Sequence, residues 1–342
     1  MNSTKTISFG IVGCGIIARF HALAIADVPG ARLIGACSKS FSSTEKFCAE
    51  CNIRAFADYE QMLAEPELDA VVICTPSGDH AGQIMAALKA GKHVVAEKPM
   101  CLTMEDADAV VAMAEQSGKM VCVISQTRFS DGVQAIKQAI DAGAMGKLVS
   151  ASLMMRYFRS PEYYNLAGWR GTIAGDGGGV LMNQGIHGID VMCYLMGNPV
   201  GVTGYSRTLL RDIEVEDTAA AAVEFDTGAL AVIDATVCSQ PAMPRRLTIC
   251  GEKGSVVLEE DSIAAWNLPI PCPVEANVST GSSGAADPKG ITHENFTREY
   301  RNIMAHLVDG APLLLDARQG RMPLSVILGV YESSKTGKAV QL

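Results

Sequence analysis

The sequence predicts an α/β protein in two parts, a doubly wound parallel sheet followed by a second domain built on a large open sheet. Three observations carry this. Apolar strand-like runs alternate with helical patterns through Ser125, the signature of βαβ units. The first of these runs turns into its helix through the string Gly13-Cys14-Gly15-Ile16-Ile17-Ala18. From Val200 onward strand-like runs follow one another with no helical pattern between them, as in an antiparallel or mixed sheet. A length of 342 residues leaves room for about two domains.

In chain order, strands are expected at Ile7–Val12, Ala31–Cys37, Arg54–Phe56, Ala70–Cys74, His93–Ala96 and Met120–Ser125. Helices are expected at Ile16–Ala26, Ser43–Cys51, Tyr59–Leu63, His80–Ala90 and Met104–Ser117, several closed by a glycine such as Gly91 or Gly118. The glycine string reads as a phosphate cradle. Gly13 permits the tight turn, Gly15 lets backbone approach a pyrophosphate, and Ala18 is small enough for helix to pack on strand. Ile16 and Ile17 open the helix, where unpaired N–H groups and a partial positive charge favour phosphate.

In such a fold ligands sit at the carboxyl ends of the strands, so each strand exit is a candidate site. The second exit is Cys37-Ser38-Lys39-Ser40, where NAD-specific sites place Asp or Glu to grip the ribose 2′-OH. Ser38 and Lys39 stand there instead. Two readings are open, a site that tolerates a 2′-phosphate and a polar loop with no contact. The fourth exit offers Thr75, Pro76 and Ser77, with Asp79 and His80 opening the next helix and Ser77 or Asp79 able to cap it. The fifth is Glu97-Lys98-Pro99, where a lysine beside a dinucleotide can stabilise developing charge on a substrate oxygen.

Composition narrows the partners. Formal charge is −9 with no Lys/Arg block, so neither nucleic acid nor an anionic membrane is an expected partner. No apolar run reaches the ~18 residues of a membrane span, and the first ten residues lack the features of a signal peptide. Many of the eleven cysteines lie inside apolar segments, as expected of a reducing cytoplasm. Cys48 and Cys51 form a CxxC without a second pair to complete a tetrahedral site, so they are expected to be buried thiols, with no metal site.

The stretches GIVGCGIIARFHA and CTPSGDHAGQIMAALKAGKHVVAEKPM together resemble the glucose-fructose oxidoreductase, inositol dehydrogenase and rhizopine-catabolism family, Gfo/Idh/MocA. The resemblance implies an N-terminal Rossmann domain, a C-terminal α/β domain with a large open, mostly antiparallel sheet, and NAD- or NADP-dependent redox chemistry at a sugar or cyclitol carbinol. It makes Lys98 catalytic and in contact with cofactor and substrate. It adds Thr75, Pro76, Ser77, His80, Glu97 and Gln126, the last in the crossover segment Gln126-Thr127-Arg128-Phe129, to the cofactor-binding candidates. It also places Trp169 and Arg170 near the nicotinamide.

Beyond Ser125 the pattern gives a helix at Val133–Ala142, a strand at Lys147–Tyr157 and a loop over 158–179 carrying Tyr163, Tyr164, Trp169, Arg170 and the run Gly177-Gly178-Gly179. Arg128, Tyr157, Arg159, Tyr163 and Tyr164 are candidates to read a phosphate, a carboxylate or hydroxyls of the substrate. A helix at Val180–Met196 would put Asn183, His187 and Asp190 on one face, as a polar strip toward a cleft. His187 matches the family's catalytic histidine. Many members carry Asp where this chain has Asn183, and Asn there resembles the nucleotide-sugar 3-dehydrogenases; an amide can orient a partner but carries no charge.

Strands at Gly201–Thr208, Asp217–Phe225, Ala229–Val237, Arg246–Gly251 and Ser255–Glu260, a surface loop at Pro269–Gly290, and helices at Glu294–Asp309 and Asp316–Ser334 complete the chain. Domain one is expected to be 1–125, which binds the dinucleotide, and domain two 126–342, which binds substrate and forms a homodimer or homotetramer through its sheet. The expected activity is hydride exchange with a sugar, cyclitol or nucleotide-sugar, with His187 as general acid/base, Lys98 on the carbinol oxygen and Asn183 aligning. Two alternatives are an NAD-dependent glycosidase with transient oxidation and a non-catalytic dinucleotide-binding regulator.

Overall fold

A computed structural model describes residues 5–166, 168–274 and 293–342. Most of the expected loop Pro269–Gly290 lies outside the described residues. The chain divides into two compact units, Met1–Gln126 with Thr292–Arg321, and Thr127–Ile291 with Met322–Leu342. The expected second domain therefore gives up 292–321 to the first unit. The reason is apolar: helix α10 (Glu294–Asp309) buries Phe296, Tyr300 and Ile303, with Phe296 against Phe20 and Tyr300 edge-on to Phe9.

The first unit alternates β1 (Ile7–Val12), α1 (Ile16–Ala26), β2 (Ala31–Cys37), α2 (Phe41–Cys51), β3 (Arg54–Ala55), α3 (Tyr59–Leu63), β4 (Ala70–Ile73), α4 (His80–Lys89), β5 (His93–Ala96), α5 (Met104–Ser117) and β6 (Val121–Val123). The strands form one parallel sheet in the order β3-β2-β1-β4-β5-β6. Every residue of β1 is buried, as a central strand covered on both faces requires. The order reverses between β1 and β4, so the exits of β1, β2 and β4 surround the topological switch point. Ser40 accepts from the Ser43 N–H and caps α2, so that helix starts at Phe41 rather than Ser43.

The second unit contains α6 (Asp131–Asp141), β7 (Leu148–Arg156), α7 (Pro161–Asn165), α8 (Ile173–Asp176), α9 (Ile186–Met196), β8 (Pro199–Arg207), β9 (Thr218–Phe225), β10 (Leu230–Thr236), β11 (Arg246–Gly251), β12 (Gly254–Glu259) and β13 (Ser262–Asn267). Helix α11 (Ala317–Thr336) begins in the first unit and ends in the second, and β14 (Val340–Gln341) follows it. The eight strands form one mixed sheet, β13-β12-β11-β7-β10-β9-β8-β14, antiparallel except for the β7–β10 pair. Along β10, Ala231, Ile233 and Ala235 point into the core and Leu230 and Val232 point out, leaving one face of the sheet open. Strands β13 and β14 were not expected from the sequence.

The expected helix Val180–Met196 is two pieces, a π-helical stretch at Val180–Gly185 and then α9. The buried Glu216 carboxylate accepts the Gly179 N–H (2.7 Å), the Leu181 N–H (2.9 Å) and the Tyr331 hydroxyl (2.8 Å), which fixes the start of the π segment. Wider helical turns of this kind recur at functional sites. A Cβ at Gly178 would collide with the Tyr331 hydroxyl, and one at Gly179 with the Glu216 main chain, which is why the chain is glycine there. Among the described residues no helix is long and apolar enough to cross a membrane.

Candidate active site

In the first unit the glycine loop has the shape a dinucleotide requires. Gly13 has φ +97°, and its N–H closes onto Cys37 O at 2.8 Å; a Cβ there would stand 2.6 Å from Cys74 O. Gly15 is different. Its backbone is extended, and among the described residues a Cβ built on it meets no atom within 4 Å beyond its own chain neighbours, so the space in front of it is open. Helix α1 starts with no side-chain cap and no acid in its first turn, and Ile16 beside the open space is 75% exposed. Gln126 Oε1 is buried with no protein partner among the described residues. An open seat over uncapped helix N–H groups fits a pyrophosphate, and these residues fit NAD or NADP.

Around this loop the other strand exits are placed as follows. The Ser38 hydroxyl lies 2.8 Å from Thr44 Oγ1 and donates to Ser40 O. Lys39 is largely exposed and donates to Asp79 Oδ2 at 2.9 Å. Asp79 pairs with Lys39 instead of capping α4. The Thr75 hydroxyl donates to Gln83 Oε1 (2.7 Å), and Pro76 leads into the short turn Ser77–Asp79. His80 is buried between two carbonyls, Pro99 O at 2.8 Å and Thr75 O at 2.9 Å, so it ties the β4 and β5 exits together.

Glu97 and half-buried Lys98 follow β5, with a cis bond between Lys98 and Pro99. Glu97 is 8% exposed; its Oε1 lies 3.0 Å from His21 Nε2, and its Oε2 accepts the Lys98 N–H at 3.3 Å. Burial opposes the charge on Glu97, but the His21 hydrogen bond, ahead of the pull of the neighbouring Lys98, holds its carboxyl below the usual range. His21 Nδ1 is 2.8 Å from the hydroxyl of Tyr300 on α10. The sequence reading missed His21 and Tyr300; His21 stands within the quoted GIIARFHA stretch.

In the second unit the loop after β7 gathers cations on aromatic rings. Arg170 stacks 4.5 Å from the Tyr163 ring centroid and 4.9 Å from that of Trp169, and it donates to the Tyr163 hydroxyl. Arg159 lies over the same tyrosine, and Tyr164 packs edge-on to Tyr163. Asn183, in the π segment, donates from Nδ2 to Asp176 Oδ1 at 2.9 Å, and the buried Asp176 also accepts the Gly171 N–H at 2.6 Å. Half-buried His187 follows on the first turn of α9.

Three expectations change here. Arg128 is 0% exposed, forms a two-point ion pair with Asp190 (2.8 and 2.6 Å) and stacks on Tyr194, so it is a packing residue of this unit and not a substrate ligand. Asp190 accordingly leaves the polar strip and lies buried. Tyr157 is buried as well, with its phenol pushed up to about 12 by burial, against the pull of Arg245. The Cys48 thiol is buried, donates to Arg54 O at 3.3 Å and is pushed up to about 11 by burial, so it stays protonated.

Two family models match the chain: the oxidoreductase family, NAD-binding Rossmann fold, over residues 7–125, and the Gfo/Idh/MocA C-terminal domain over residues 133–257. The uncharacterized oxidoreductase YrbE of Bacillus subtilis is 30% identical over 75% of this chain and 74% of its own length. The chain belongs to the Gfo/Idh/MocA oxidoreductases. As a family member it is an oxidoreductase with an NAD(P)-binding Rossmann domain. The scyllo-inositol 2-dehydrogenase (NAD(+)) of Bacillus subtilis is 28% identical over 97% of this chain and 95% of its own. The WlbA dehydrogenase of Bordetella pertussis, solved with NADH and UDP-GlcNAcA, superposes with a TM-score of 0.88 at 32% identity over 99% of both chains.

Proposed function

We propose that this oxidoreductase acts on a secondary carbinol of a nucleotide-linked sugar, with UDP-GlcNAcA or a close analogue as substrate. The observation that carries the substrate class is the likeness to WlbA at 32% identity over 99% of both chains. Asn183 in place of the more usual Asp supports the same class, and Arg159 and Arg170 supply cations for an anionic sugar or its diphosphate. Gly13, Gly15, Ile16 and Ile17 would hold the pyrophosphate, with Ser38 and Lys39 at the adenosine end and Gln126, Trp169 and Arg170 at the other. NAD(P), when bound, exchanges hydride with the carbinol carbon.

The chain's own residues handle the proton. His187 takes the hydroxyl proton as general base and returns it in the reverse direction, while Lys98 donates to the carbinol oxygen and stabilises its alkoxide character. Asn183, held by Asp176, aligns the substrate hydroxyl or His187. The outward residues Tyr205, Ala220, Ala222 and Val232 of the eight-stranded sheet support self-association through that face, and eleven free thiols support a reducing compartment.

The test is absorbance of the reduced nicotinamide while UDP-GlcNAcA, free sugars and cyclitols are added with NAD or NADP. Reduction is expected with the nucleotide-linked sugar, and His187→Ala should lower it by about 10²–10⁴. Near-full turnover in His187→Ala with intact cofactor binding refutes the role. Sugar release without net reduction would point instead to glycoside cleavage, and binding without turnover on any compound to a regulator.

A further inference from the structure

Beside the proposed lysine lies a buried chain of polar groups that the reaction above does not use. Glu97, His21 and Tyr300 come from the exit of β5, from α1 and from α10, and the two contacts that join them span 76 and 279 residues of sequence. His21 and Tyr300 are 0% exposed, and His21 is boxed by the ring edges of Phe296 and Tyr300. Replacing such a buried polar set with apolar side chains is often neutral or stabilising, so stability does not account for its presence.

The geometry assigns the protons. Ionised Glu97 only accepts, so His21 Nε2 carries the proton between them; in the neutral ring Nδ1 is then an acceptor for the Tyr300 hydroxyl. Burial, ahead of the nearby Cys74, Glu299, Cys122 and Glu97, raises the Tyr300 phenol well above its usual range and keeps that hydroxyl a donor. The remaining Glu97 oxygen faces the Lys98 N–H. On the opposite side of the turn His80 holds Pro99 O. The Lys98 backbone is thus gripped before and after the lysine.

We propose that His21 and Tyr300 are positioning residues that fix the Glu97 carboxylate as the buried counter-ion of Lys98, holding the lysine in its charged, donating form across the working pH range. The proposal rests on the role given to Lys98 above. The charged and titratable groups facing Glu97 are His21 from α1, Lys98 from its own turn, His80 from α4, Cys74 from the β4 exit and Tyr300 from α10. Of these Glu97 is the one carboxylate, it is buried and next to the lysine in the chain, and Cys74 is kept a neutral thiol by burial.

The test reads Lys98 without turnover. Acetylation of Lys98 by acetic anhydride, followed by peptide mass spectrometry across pH, gives the midpoint at which the amine becomes reactive. In Glu97→Gln that midpoint should move down by about one pH unit, and the alkaline limb of kcat/KM with UDP-GlcNAcA should move with it. Tyr300→Phe, which keeps Glu97 and removes one hydroxyl, should move both in the same direction by a smaller amount and lower kcat about five- to tenfold with KM unchanged. Wild-type acetylation midpoints in both variants overturn the proposal. If Glu97→Gln does not fold, an unshifted Tyr300→Phe midpoint overturns it alone. Lys98→Met separates the two readings: retained turnover there refutes the role of Lys98, whereas lost turnover with unshifted midpoints refutes only the positioning by Glu97, His21 and Tyr300.

Discussion

Gly15→Ala separates the needs of the fold from those of the cofactor. The backbone at Gly15 has φ −81° and ψ −167°, an extended conformation open to any residue, and among the described residues its Cβ position has no atom within 4 Å beyond its own chain neighbours. Alanine therefore adds neither strain nor a clash, and the stiffer unfolded chain should stabilise the apoprotein by about 0.4–1 kcal/mol. A pyrophosphate resting on this backbone would meet the new methyl. Pushing it off one charge-assisted N–H contact costs roughly 1.5–3 kcal/mol, or about 10- to 150-fold in Kd. The control is Gly13→Ala, where φ is +97° and Cys74 O would stand 2.6 Å from the Cβ; that variant should lose several kcal/mol of stability by strain and overlap. The assays are thermal unfolding without cofactor and NADH titration by nucleotide fluorescence. Wild-type NADH affinity in Gly15→Ala would refute the loop as the pyrophosphate seat, and a collapsed melting temperature would refute the open space.

His93 makes stability pH-dependent. Burial, with Lys119 nearby, lowers it from 6.5 to about 4, and its Nδ1 accepts the Met120 N–H. The unfolded chain takes up this proton first, so stability should fall as pH drops from about 6.5 to 4; urea midpoints should show less of that fall in His93→Asn. Asn183→Asp would set two carboxylates about 2.9 Å apart, a repulsion of roughly 6 kcal/mol at an effective dielectric of 20. The pair escapes by sharing a proton, which raises a folded-state pKa; the variant should lose about 2 kcal/mol at pH 8 and recover it toward pH 5 in the same urea assay. Parallel pH curves for variant and wild type would show that Asp176 does not hold residue 183.

The parts of this molecule legible in the sequence are those set by short-range rules. The βαβ alternation, the glycine loop and the ends of most helices depend on neighbours within a turn or a strand. What stayed hidden depends on partners far along the chain. The sequence puts Asp190 on a helix and Arg128 in the segment Gln126-Thr127-Arg128-Phe129, but nothing local says that they face each other in the core. The return of α10 to the first unit follows from apolar residues that would serve equally well in the second. The π segment reads as ordinary helix because its cause, the Glu216 carboxylate, lies more than thirty residues further along the chain. Strand β14 is two residues long, too short for any pattern.

Asn183 shows how a departure from a family pattern changes meaning once its surroundings are known. In the sequence it reads as a lost carboxylate. In the fold its amide N–H points at Asp176, whose other oxygen is held by the Gly171 N–H, so the charge has moved back by seven residues instead of disappearing. Because that hydrogen bond commits Nδ2, Asn183 Oδ1 is turned the other way as an acceptor of fixed direction. An acceptor suits a substrate hydroxyl or an imidazole N–H, whereas an ionised Asp would add a full charge beside His187. Proton transfer at His187 would then depend on orientation more than on a neighbouring charge.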